Sequence, residues 1–123
     1  MDIAASLLLA ATSGLFLLAL LMVGHYLADY PLQGEFLSRA KNHKAPIPGV
    51  PWYHALIAHA SIHGGAVWLI TGYWQLGLLE TVCHAVIDHY KCAGKIGFNT
   101  DLALHLLCKV IWVALFFVFL FFQ

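Results

Sequence analysis

At 123 residues, with 62% hydrophobic and only 10% charged side chains, the chain has the composition of one integral membrane domain rather than of a soluble one. Its formal net charge of zero and lack of a long basic run exclude the electrostatic footprint of a nucleic-acid binder, so no nucleic-acid partner is expected. Cys83, Cys92 and Cys108 have neither a zinc-type spacing nor that of a disulfide framework.

The first segment, about 3–30, has an apolar body ending near Val23 and a polar end from Gly24 to Pro31, and is long enough to span a bilayer. Asp2 precedes it with no Lys or Arg, which does not fit the basic start of a cleaved signal, so the segment is expected to be retained. Pro31 closes it, because the residue before a proline is pushed out of helical geometry. Residues 31–51 form the longest polar connection: a short surface helix from Glu35 to Lys41, then extended chain through Pro46, Pro48 and Pro51.

Segment two, about 52–71, carries His54, His59 and His63, and a tight turn over Gly72 to Gln75 leads into segment three, about 76–90. There Glu80, His84 and Asp88 recur every fourth residue and share one helical face, while Val82, Val86 and Ile87 cover the others. After a glycine-containing loop, 91–100, Asn99 or Thr100 is expected to cap segment four, about 101–122. That segment begins with Asp101, His105 and Lys109 and ends in a Phe-rich tail suited to lipid or to a second copy in a homo-oligomer. The pattern predicts a single all-α domain, an integral membrane four-helix bundle over 1–123.

Orientation follows from charge. Arg39, Lys41, Lys44, Lys91 and Lys95 all lie in the first and third connections, which the positive-inside rule makes cytoplasmic. Both termini then lie outside the cytoplasm, and Trp52, Tyr53, Tyr73 and Trp74 suit the two interfacial belts.

Polar residues recur in each predicted span. The two segments running toward the cytoplasm give His and then Asp one turn later, His25 and Asp29, His84 and Asp88; segment four runs back and gives the reverse, Asp101 and His105. An Asp layer and a His layer about 6 Å deeper result, both in the cytoplasmic half. His59 joins the His layer, and Glu80, His63 and Lys109 form a third layer nearer the midplane. His25, Asp29, His59, His84, Asp88, Asp101 and His105 would suit one or two divalent ions, zinc first and manganese or iron behind. Buried His and Asp also join membrane helices by hydrogen bonds of about 0.6 kcal/mol each, a small return for so many ionisable groups. His43 reads as a solvated loop residue, His89 lies off the ladder face, and His54 suits the interface.

The run His25-Tyr26-Leu27-Ala28-Asp29-Tyr30-Pro31-Leu32-Gln33, His84 to Asp88 followed by Lys91, and Asp101 followed by His105 resembles a family of small bacterial and phage membrane proteins of unknown function. The likeness covers most of the chain and is especially close to phage-type members through Pro48 to Tyr53 and Phe98 to Asp101, which implies a bacterial inner-membrane protein, phage-encoded in some cases. More remotely, the His-x-x-x-Asp steps are similar to those of membrane-bound metal-dependent hydrolases. Leu102 stands where many members place Gln, so no amide role is carried over there.

The leading expectation is a membrane-embedded hydrolase of a lipid or lipid-linked phosphoester, with Glu80 as general base, Lys109 steadying an anionic group or pairing with Glu80, and His63 and Gln33 supporting the ligands. Tyr26, Tyr30 and Gln33 are placed to meet a headgroup, and membrane lipids are the expected partners. The alternatives are a proton or metal-ion conductor, and a phage membrane protein acting by assembly in lysis or superinfection exclusion.

Overall fold

A computed structural model describes residues 2–123 as five helices, with no strand among the described residues: α1 Ile3–Asp29, α2 Gly34–Ala40, α3 Trp52–Thr71, α4 Trp74–Cys92 and α5 Phe98–Phe121. Asp2 caps α1, its carboxylate accepting from the Ala5 amide at 2.7 Å, and Pro31 follows just beyond the helix end. The short helix in the long connection is present as α2. Gly72, at φ 77°, ends α3 in the left-handed conformation that glycine adopts without strain, and Tyr73 alone separates it from α4.

The fourth long helix starts earlier than expected. Gly97, not Asn99 or Thr100, is its extended cap residue, so Phe98, Asn99, Thr100 and Asp101 form its first turn. That turn brings Asp101 within 2.6 Å of Lys91 Nζ, an ion pair across the loop that stabilises the earlier start.

α1 packs on α3, α3 on α4, α4 on α5 and α5 back on α1, while α2 folds against α3. The closest pair is α3 and α4, and glycine is the reason. A Cβ on Gly64 would collide with Thr81 Oγ1 and the Gly77 carbonyl, and one on Gly77 would lie 2.6 Å from the Gly64 carbonyl and 2.9 Å from Trp68 Cβ. Leu17, Leu21, Val67, Leu76 and Trp112 form the apolar core, toward the end of the molecule away from the long connection.

α1 and α5 are long and apolar enough to cross a membrane, yet only 11% and 17% of their most apolar stretches are buried. A core helix of a soluble protein would show the opposite. The inversion continues on α4, where Glu80, His84 and Asp88 are buried while Val82 and Val86 are 56% and 50% exposed.

Candidate metal centre

Helix geometry explains why the polar residues meet. Side chains lean toward the N-terminus of their own helix, so those on α1 and α4 lean into the molecule and those on the antiparallel α3 and α5 lean back toward the long connection. The expected layers therefore merge. Asp29 reaches inward and His63 outward, and His63 Nε2 lies 3.0 Å from Asp29 Oδ1. His63, expected in a deeper layer with Glu80 and Lys109, instead joins the carboxylate layer, its ring stacked on His84 at 3.5 Å.

Five imidazoles turn Nε2 toward this centre. His25 Nε2 lies 3.1 Å from Asp29 Oδ2, and His59 Nε2 lies 3.3 Å from Asp29 Oδ1 and 3.4 Å from Asp88 Oδ2. His59 and His84 face each other Nε2 to Nε2 at 3.2 Å. His105 Nε2 sits 3.6 Å from Asp88 Oδ1 and 3.5 Å from Asp101 Oδ1. A ring nitrogen has one hydrogen or one lone pair, so His59 Nε2 cannot satisfy all its neighbours by hydrogen bonding. Nδ1 of His25, His59, His63 and His105 is buried without a partner, which leaves the inward nitrogens as the polar engagement of these rings.

The donor set fits a divalent ion. Four ligands about 2.0–2.1 Å from a tetrahedral ion stand about 3.3 Å apart, which is the spacing of these atoms. Three groups bring their donor atoms within 4.8 Å of one another: Asp29, His59, His63 and His84; His25, Glu80, His84 and His105; and Asp88, Asp101 and His105. Shared members, His84 and His105, link the three. The mixture of imidazole and carboxylate suits zinc, manganese or iron.

Glu80 has a different environment from the other carboxylates. Its Oε1 accepts from Lys109 Nζ at 2.6 Å and its Oε2 from Trp112 Nε1 at 2.6 Å, with His84 Nδ1 3.4 Å from Oε1. With both oxygens engaged, Glu80 is suited to orienting the His84 ring, as carboxylates behind metal-binding histidines do. Trp112 was not among the residues singled out by sequence; its place seven residues beyond His105 and three beyond Lys109, on the same helical face, was the available signal.

Two further lysines reach the centre. Lys41 Nζ lies 2.5 Å from Asp88 Oδ2 and Lys91 Nζ 2.6 Å from Asp101 Oδ2. Each carboxylate but Asp29 thus has a lysine. Lys91 was detectable, being three residues beyond Asp88 on the ladder helix, whereas Lys41 arrives only because α2 folds back on α3. Gln33 donates its amide to the Asp29 carbonyl at 3.0 Å. His54 is exposed. His43 corrects the expectation of a solvated residue: it is half-buried and stacks on His89 at 4.1 Å, and burial, with His89 and Lys44 nearby, lowers its pKa.

A cavity of about 310 Å³ opens onto the centre at the end where α1 finishes and α5 begins. His25, Asp29, Asp88 and Asp101 form its inner lining, Lys41 and Lys91 its flanks, and Tyr26, Tyr30, Phe98 and Leu102 its apolar rim.

Fold and site together define an all-helical protein with two helices of membrane-crossing length and an imidazole–carboxylate centre buried beneath an open cavity. The chain belongs to the family described as Protein of unknown function (DUF3307), whose model matches residues 17–122 and so covers every candidate ligand. Neither a curated protein nor a solved structure matches the chain. The resemblance to a family of unknown function is thus confirmed at that level, while the remoter likeness to membrane-bound hydrolases has no counterpart in these matches.

Proposed function

We propose that this chain is a membrane-embedded, divalent-metal-dependent hydrolase of a lipid or lipid-linked phosphoester. The carrying observation is the convergence of five imidazole Nε2 atoms and the Asp29, Asp88 and Asp101 carboxylates, from four helices, at the inner end of an open polar cavity. The four long helices act as a bundle in the bacterial inner membrane, with α2 at the cytoplasmic surface and both termini on the other side. The apolar exterior and polar interior support this placement, as does the gathering of Lys and Arg in two connections on one side.

The metal ligands are drawn from His25, Asp29, His59, His63, His84, Asp88, Asp101 and His105. A divalent ion there would supply Lewis acidity and lower the pKa of water, the chemistry that phosphoester hydrolysis needs at neutral pH. Lys109 and Trp112 hold Glu80, and Glu80 in turn holds His84. Burial of this chain of contacts keeps the imidazole's direction fixed and excludes water from its far side. The core of Leu17, Leu21, Val67, Leu76 and Trp112 lies beyond Glu80, which supports a closed-ended site over a continuous proton or ion path.

Elemental analysis of gently purified protein, with a phosphoester-release assay on mixed lipid extracts, tests the reading. One or two divalent ions per chain and metal-dependent release are expected. Absence of stoichiometric metal removes the hydrolase reading, and gradient-driven flux in liposomes would replace it with conduction.

A further inference from the structure

The ammonium groups of Lys41 and Lys91 have a role that pairing alone does not exhaust. Each has three donors and uses one on a carboxylate, Lys41 on Asp88 and Lys91 on Asp101. Both line the cavity, Lys41 buried and Lys91 half-exposed. Asp101 lines the same cavity, its Oδ2 held by Lys91 and its buried Oδ1 turned toward His105 Nε2 at 3.5 Å.

The rim has the other half of the pattern. Tyr26 on α1, Tyr30 just past its end and Phe98 on α5 line the cavity and are 44%, 64% and 62% exposed. Paired cations inside and exposed aromatic rings outside match a molecule with an anionic head and an apolar body. The opening lies between the end of α1 and the start of α5, so such a molecule can enter from the side, its tail remaining against the rim.

We infer that Lys41 and Lys91 form the anion subsite of the cavity, binding the phosphoryl oxygens of a phosphorylated amphiphile admitted between α1 and α5. This rests on the metal-dependent hydrolase reading for its chemistry but not for its binding measurement. Phosphate as a free ion shares the headgroup chemistry and lacks the tail, so comparing the two separates the sources.

The full chain in zwitterionic detergent, with zinc supplied and its metal content measured on the same samples, is titrated calorimetrically with dioctanoyl-phosphatidic acid and with inorganic phosphate. The wild type is expected to bind the lipid at least tenfold more tightly than the ion. Lys91→Gln, at a half-exposed position where the amide can still donate to Asp101, is expected to weaken both probes about tenfold, the effect of one charge-assisted contact. Lys41→Gln/Lys91→Gln should lose binding further. Tyr30→Ser should weaken the lipid and leave phosphate unchanged. Unaltered affinity in Lys91→Gln overturns the subsite, and equal affinity for the two probes overturns lateral lipid entry. Wild-type protein that binds phosphatidic acid but no zinc supports the subsite and sinks the hydrolase reading alone.

Discussion

Asp29 is the carboxylate of the centre without a lysine; its neighbours are Nε2 of His25, His59 and His63, all within 3.3 Å. Its charge is therefore the one most directly available to a cation. Asp29→Asn keeps the volume and removes the charge, and it is expected to lower bound metal to well below half of wild type by elemental analysis. Full retention would exclude Asp29 as a ligand. Glu80→Gln and His84→Ala form a second comparison: the amide should keep most of the metal while lowering turnover, because His84 exchanges a carboxylate partner for a neutral amide, whereas the missing imidazole should lose metal and activity together. Equal metal loss in both would move Glu80 into direct coordination. Lys109→Met leaves Glu80 buried without its cation and is expected to destabilise the fold by about 3–5 kcal/mol. Denaturant unfolding in detergent measures that, and Lys109→Met/Glu80→Leu should recover part of the loss.

Among the helices, α3 and α4 carry His59, His63, His84 and Asp88 on faces brought together by Gly64 and Gly77. Gly64→Ala forces these helices apart against Thr81, at about 1–3 kcal/mol for overpacking. Its separation of His59 from His84 should also weaken metal binding, with Gly65→Ala, where a Cβ meets open space, as the matched control. Unchanged melting and metal content in Gly64→Ala would show that the close approach is dispensable. The helices were legible in the sequence because i, i+4 spacing reports one face directly. The grouping of His63 with Asp29 was less legible because layers counted from Cα positions omit the opposite lean of side chains on antiparallel helices. Lys41 was illegible for another reason: a lysine in a polar connection looks solvated until α2 and its packing on α3 are known.

For the whole molecule, the membrane reading makes a prediction about sides. Cysteines placed at Lys44 and Lys95, both exposed, should react only with reagent that reaches the cytoplasm, and one placed at Asp2 only from outside. Labelling of Lys44 and Lys95 from outside would invert the topology and put the cavity in the opposite leaflet. The composition carried this level of organisation, since buried polar residues with exposed Val, Leu and Phe are the arrangement that an apolar surrounding favours. The cavity, by contrast, depends on where α1, α2, α4 and α5 end or begin relative to one another, which no local pattern encodes.

The short Gly72–Tyr73 connection also has a temporal consequence. It joins neighbouring stretches of chain, so α3 and α4 can pair at little loop-closure cost as soon as both have been synthesised, before α5 exists. Half of the centre is then assembled early, and α1 and α5 close over it. Gly64→Ala is accordingly expected to slow refolding from denaturing detergent, whereas Leu21→Ala, on α1, should chiefly accelerate unfolding. Stopped-flow traces in which Leu21→Ala alone slowed refolding would reverse that order, making α1 the platform on which the hairpin later docks.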